Sequence, residues 1–405
     1  MNVYQKIKEH NLSEILLTLI LITLPLGFAV NSISLILFLF TTYYFAIVKR
    51  IKIKFKTITV LFIVFYVLCL CSLFWTNNLE ETKEGLIRFL AYLIIPLAFI
   101  FIDNIRIRRD VVFNAFSKSL VFYGLYALIV GVLKAFQNKD IGYLFYHNLS
   151  NNLSNMNAIY LSVFISFGIA YFLNKKRKSR FEVFGVIFLS LFLVLLSSKI
   201  MITTTLLLSL ALCFKKFKFK KISLQNKAII VAVLLLFSIT SLNFVNRIKT
   251  ELDLTKISEV LHKKDFGHVY IWTGFGLRMF QIKVFTEVLE EQKILFLGEG
   301  LNNSQNSLID KYKEYNLYPG FYNYNYHNQY IQIFAELGIV GLLILLLILF
   351  IIIKNATKHK DYFLLSFIIL ILVVCITESF LWRQRGMVFF VTITLLFNQR
   401  KKHSI

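Results

Sequence analysis

The sequence is poor in the residues that staple loops, break helices or carry negative charge: 4 Cys, 3 Pro and 22 acidic residues stand against 45 basic ones in 405 positions. The cysteines Cys69, Cys71, Cys213 and Cys375 all fall in apolar stretches, which excludes a disulfide framework and any zinc-ligand spacing. His147, His262 and His268 have no partners at metal-ligand spacing either. The Glu251 and Asp253 of "ELD" form an acidic pair of the kind that holds a divalent cation, but three residues in a charged stretch are a common accident. We therefore expect no metal and no cofactor. Also missing is a small-x-small cleavage site after the first apolar run, which ends "GFAVNS", so a retained first helix is expected. Pro25 and Pro96 sit within apolar runs, where they kink helices.

Apolar residues are abundant: 57% of the chain is hydrophobic, with 42 Phe and 20 Tyr, far more than a soluble core of this length needs. Several runs reach the ~20 apolar residues needed to cross a ~30 Å hydrocarbon layer, and backbone groups in lipid must be satisfied within the segment. The expected fold class is all-α, a polytopic membrane protein of about twelve helices at 14–30, 33–48, 57–75, 85–102, 117–136, 157–174, 181–197, 200–214, 228–246, 332–353, 362–378 and 386–399. The seventh and eighth share one apolar run, but "KKRKSR" (175–180) precedes it and "KKFKFKK" (215–221) follows it. Both flanks belong in the cytoplasm, so the run must cross twice and turn near Ser197, Ser198 and Lys199.

The same rule places the basic segments at 49–56, 105–109, 354–360 and the C-terminal tail on one side, with both termini cytoplasmic and Trp75 and Trp382 at the outer interface. The net charge of +23 is then a topology signal and an attraction to anionic membrane lipids, not a mark of nucleic-acid binding. Three regions follow: a membrane bundle at 1–246, an extracytoplasmic loop with amphipathic helices at 247–331, and C-terminal membrane helices at 332–405. The loop is too long for a connector, and "GLRMFQIKVFTEVLEEQ" (276–292) has helical spacing of its apolar residues. A transporter would share this topology, yet the two halves show no related pattern and the polar residues of interest gather on one face.

The chain re-enters the membrane through "HNQYIQIFAELGIVG" (327–341), a histidine followed by Asn and then a Glu-x-Gly-x-x-Gly entering an apolar helix. Together with the Arg-led "GLRMFQIKVFTEVLEEQKILFLGEG" upstream and "LLSSKIMITT" at an outer span end, it resembles the O-antigen ligase and polymerase superfamily. The clean resemblance covers roughly 185–400; Lys199 stands where the family usually has arginine, keeping the charge but losing the bidentate fork.

The resemblance implies a GT-C-like architecture and transfer of a glycan from an undecaprenyl-diphosphate carrier to lipid A-core, or another glycan or protein acceptor, on the periplasmic face of the inner membrane. It implies His327 as the catalytic residue, with Arg278, Lys199, Arg88, Arg383, Arg385, Asn328 and Tyr330 as candidates for binding the diphosphate or substrate. Arginine suits phosphate oxygens by its planar fork, and histidine suits deprotonation of a hydroxyl near neutral pH. A repeat polymerase and a protein O-oligosaccharyltransferase carry the same motifs. Glu378 is expected to pair with Arg383 or Arg385, and Glu336, Gly338 and Gly341 to position their helix by close packing.

Overall fold

A computed structural model describes residues 3–48, 55–102, 107–216, 253–292 and 294–399. The expected ninth span at 228–246, Glu251 of the acidic pair, and most of the basic segments at 49–56 and 215–221 lie outside the described residues. All regular elements among the described residues are helices: α1 (Val3–Ile22), α2 (Phe28–Val48), α3 (Thr57–Cys71), α4 (Leu79–Phe89), α5 (Ala91–Ile102), α6 (Arg109–Asn138), α7 (Tyr146–Ser150), α8 (Ala158–Asn174), α9 (Arg180–Leu195) and α10 (Lys199–Lys216). After the undescribed stretch come α11 (Ile257–His262), α12 (Gly274–Gln292), α13 (Ser304–Glu314), α14 (Gln329–Lys358), α15 (Tyr362–Thr377) and α16 (Gln384–Asn398). Five stretches, Phe28–Val48, Thr57–Phe74, Leu79–Ile102, Arg109–Asn138 and Gln329–Lys358, are long and apolar enough to cross a membrane, and four shorter apolar helices accompany them. Helical residues lie along each expected span except the ninth, on which the described residues are silent, but the expected span at 14–30 is interrupted between Ile22 and Phe28 and the one at 85–102 at Leu90.

The long apolar run is two helices. Ser197 takes a left-handed backbone conformation (φ 55°) between α9 and α10, and its amide donates to Val194 O at 2.9 Å. α9 starts on a capping box in which Ser179 and Glu182 satisfy each other's backbone amides, while the Lys175 ammonium pairs with Glu182.

Two helices are buried nearly all round. α8 and α16 present apolar residues on every face, as a helix at the centre of a bundle must. Phe167 on α8 and Phe389 on α16 sit 5.5 Å apart edge to face, and Phe113 of α6 and Phe363 of α15 close the cluster. Large apolar residues left on the outer faces of α2 and α6, among them Phe40, Tyr44, Ile129 and Phe136, form the surface a bilayer would cover. At one end of the bundle the basic connections are tied down: Arg108 to Glu14 at 2.9 Å, Arg109 to Asp361 at 3.1 Å and Lys56 Nζ to Asn398 O at 3.0 Å.

At the opposite end, α11, α12 and α13 build a second apolar core around Phe280, Val284, Leu308, Tyr312 and Tyr326. This unit is keyed into the bundle through a break in α14. Gly338 (φ 63°, ψ −165°) interrupts the helix and frees backbone groups inside an apolar setting. Those groups are filled by the Gly298–Glu299–Gly300 turn: Glu299 N donates to Ala335 O at 2.9 Å and Gly300 N to Glu336 O at 3.0 Å. In return, Ile339 N donates to Leu295 O at 2.9 Å. A broken helix is tolerated at membrane depth when protein satisfies what the break exposes.

Glu299 itself is buried, accepting from the Ser307 hydroxyl. Burial pushes its carboxyl up to about 7, with the nearby Glu336 carboxylate adding to the rise. A raised acid binds its proton more tightly when folded, so its contribution to stability is full below the ordinary 4.5 and is lost as pH climbs through about 7. The difference is on the order of 3 kcal/mol. We expect the detergent-solubilised protein to lose thermal stability between pH 5 and pH 8, and Glu299→Gln to flatten that decline. Parallel slopes for the two proteins would rule Glu299 out as the source.

Candidate active site

His327 lies between the loop unit and α14. Its approach is built by buried amides. Gln281 on α12, wholly buried, donates to the Asn325 carbonyl at 2.7 Å, and the Asn325 side chain accepts the His327 amide at 2.9 Å. His327 then adopts a left-handed backbone (φ 45°), which for a residue other than glycine is held only when its surroundings over-determine it. Asn328 follows as the N-cap of α14, accepting from Tyr330 N and Ile331 N at 3.0 and 3.1 Å. Turn and cap together fix the ring.

The ring meets Glu378, the first residue past the end of α15. Nδ1 of His327 is 3.2 Å from Glu378 Oε2, and Arg278 Nη2 is 3.4 Å from Glu378 Oε1. A carboxylate only accepts, so the hydrogen must sit on Nδ1, and the lone pair is left on Nε2. Arg278 is held by more than this ion pair. Its Nε and Nη2 donate to the Thr377 carbonyl at 3.2 and 3.1 Å, and Nη1 donates to the Gly274 carbonyl at 2.9 Å. The carbonyls at the end of α15 lack helical partners and carry negative potential, so a guanidinium there satisfies both demands. One Nη1 hydrogen is left over for a ligand.

These groups open on a cavity of about 510 Å³ whose walls include His327, Glu378, Arg278, Arg383, Arg385 and His147. Burial lowers the His147 ring, with the Glu378 charge partly opposing, and its Nδ1 accepts from Ala158 N at 3.3 Å. A second recess of about 660 Å³ shares Arg278, Gly274, Tyr146 and Ile159 with the first and is lined further by Lys199, Phe145, Ile200 and Phe275. The space beside His327 is thus mixed polar and apolar, and the space beside Lys199 is mostly apolar with the cations Lys199 and Arg278 in its lining.

Five of the eight residues singled out from the sequence, His327, Arg278, Lys199, Arg383 and Arg385, line these joined spaces. Three do not. Arg88 packs its guanidinium 4.1 Å from the Trp382 ring and donates to Asn302 Oδ1 at 3.0 Å, tying α4 to the loop unit. Asn328 is engaged as a cap and through Nδ2 to Ile376 O at 3.2 Å, and the Tyr330 hydroxyl donates to Leu372 O at 3.2 Å. Trp382, expected at a lipid interface, is buried and donates through Nε1 to Glu336 Oε1 at 2.8 Å, because a carboxylate sealed within the bundle needs donors. Glu378 pairs not with the nearby Arg383 or Arg385 but with Arg278, 100 positions away in the chain. Glu378, His147 and the cavity-lining Asn155 and Asn157 carry no motif in the sequence; only the expected ion pairing of Glu378 points toward one of them.

A family model described as O-antigen ligase matches residues 184–346. The match takes in Lys199, Arg278 and His327 and stops short of Glu378, Arg383 and Arg385. Among curated proteins, none matches the chain.

Proposed function

We propose, from the match of residues 184–346 to the O-antigen ligase family model, that this chain is a membrane glycosyltransferase that moves a glycan from undecaprenyl diphosphate to an acceptor hydroxyl on the periplasmic face of the inner membrane. The observation that carries this reading is the meeting of His327, Glu378 and Arg278 at one cavity wall. With Nδ1 bonded to Glu378, Nε2 of His327 takes the acceptor proton as the hydroxyl oxygen bonds to the anomeric carbon of the donor. The bond from that carbon to the diphosphate oxygen breaks, and the electron pair leaves with the carrier diphosphate. Arg278 and Lys199 stand at the rim of the apolar recess, where a polyprenyl chain and its diphosphate would both find complementary surroundings. Glu378 keeps the ring oriented and offsets the imidazolium that forms, the part a carboxylate plays beside a catalytic histidine.

The reading needs no divalent cation, since the two cations supply the charge that a metal would. A ligase onto lipid A-core is the form preferred here; a repeat polymerase and a protein O-oligosaccharyltransferase would use the same groups. Surface polysaccharide from a strain lacking the chain separates the three. Loss of all long chains from lipopolysaccharide, with carrier-linked polymer accumulating, is the expected result, and membranes from the parent strain should transfer in the presence of EDTA. Single-repeat caps would mean a polymerase, unglycosylated protein would mean the oligosaccharyltransferase, and activity abolished by EDTA and restored by Mg²⁺ would sink the metal-free mechanism.

A further inference from the structure

Arg383 and Arg385 lie outside the stretch matched to the family and take no part in the bonding around Glu378. Both line the cavity that holds His327, and neither lines the apolar recess with Lys199. Arg385 is buried to 6% exposure, packs 4.6 Å from the Phe28 ring and donates through Nη2 to Ser154 O at 3.0 Å. Its Nε is buried without a partner. Among the described residues, no carboxylate lies in ion-pair contact with either arginine. A guanidinium taken out of water with an empty donor and no counter-charge is unfavourable unless something anionic joins it. The same cavity is lined by Asn155, Asn157, Asn323 and Asn325, of which Asn157 and Asn325 already accept backbone amides through Oδ1 and keep their amide NH2 groups to donate to sugar hydroxyls.

We propose that the Arg383–Arg385 wall binds an acidic or phosphorylated sugar of the acceptor glycan, and so selects acceptors that carry negative charge close to the receiving hydroxyl. This rests on the transferase reading above and adds to it the class of acceptor. The donor diphosphate is assigned elsewhere because Arg278 and Lys199 flank the recess whose apolar lining suits its lipid. With Arg278 lining both spaces and His327 lining the one that holds Arg383 and Arg385, the two anionic substrates would meet beside the histidine. The planar fork of Arg385 also favours a carboxylate or phosphate over a neutral sugar.

The test uses the full chain in nanodiscs of neutral lipid, carrier-linked glycan as donor, and the host's envelope glycolipid as acceptor. The acceptor is supplied either intact or stripped of charge by dephosphorylation and carboxylate amidation. Arg383→Gln, at an exposed helix N-terminus, is compared with Arg385→Gln, and Arg385→Lys stands in should the buried variant not fold. Losing a charge-assisted hydrogen bond is worth roughly tenfold or more in affinity. The acceptor KM should therefore rise about tenfold in the glutamine variants, with the donor KM unmoved, and wild type should show the same rise on the stripped acceptor. The variants should then add little further loss on that acceptor. A rise in donor KM, an unchanged acceptor KM, or an equal penalty on both acceptors would overturn the assignment while leaving the transferase reading intact. Wild type that transfers to neither acceptor would remove the ligase form of the transferase reading, and this inference with it, before any variant is compared.

Discussion

His327→Asn and His327→Ala should reach the membrane at wild-type levels and lose glycan transfer by about 10² to 10⁴-fold, the range general-base assistance spans. The prediction rests on geometry. Nδ1 is committed to Glu378 at 3.2 Å, which leaves Nε2 as the basic nitrogen of a ring that lines the cavity. Two replacements are needed because the backbone here is left-handed (φ 45°), a conformation that asparagine tolerates better than alanine. If the histidine were only an anchor, asparagine would keep the turn and keep activity, and alanine would fail through lost protein. If it is the base, both fail with the protein intact. Transfer should be measured in membranes normalised to folded protein. Near-normal rates for His327→Asn would end the catalytic assignment. Glu378→Gln is expected to fall less steeply, since an amide oxygen can still accept from Nδ1 but offers no charge to the imidazolium.

Much of this architecture is legible in the sequence because lipid makes hydropathy a strong signal. The turn within 180–216 is the clearest instance: basic flanks on both sides of one apolar run demanded a turn, and Ser197 supplies it between α9 and α10. His327, Arg278 and Lys199 stand out in the sequence through the family resemblance, and they line one joined space. Glu378 was not. It lies 51 positions from His327, beside two arginines in its own short loop, so local pairing was the natural expectation; the end of α15 turns it toward α12 instead. Trp382 departs from its expected place for a related reason. An aromatic at a span end looks the same whether it meets headgroups or a neighbouring helix, and only the buried Glu336 decides between them. Nor does a Gly-x-Gly turn announce which carbonyls its amides will fill.

That turn carries the second large effect. Gly338→Ala should prevent stable folding, seen as loss of monodisperse protein after extraction, with an effect on the order of 4 kcal/mol or more from backbone strain and severed hydrogen bonds together. Gly338 combines φ 63° with ψ −165°, a region essentially reserved for glycine, so any side chain is strained there before contacts are considered. The contacts are worse. A Cβ at 338 would stand 2.1 Å from Phe296 O, and one at 298 would stand 2.4 Å from the Glu336 carbonyl carbon, backbone against backbone on both sides. Relief requires the 295–300 segment to withdraw, and withdrawal strips partners from Ala335 O and Glu336 O inside the bundle. Gly341 provides the contrast. It lies in the same apolar stretch of α14 but beyond the break, with no positive φ, and a Cβ there would crowd the Leu337 Cβ at 2.4 Å and no backbone of the loop unit. Gly341→Ala should therefore shift one turn of helix and leave the 295–300 segment in place, with a smaller loss of extractable protein. Equal losses for the two substitutions would mean that crowding within α14, and not the interlock with the Gly298–Glu299–Gly300 turn, sets the stability of this junction.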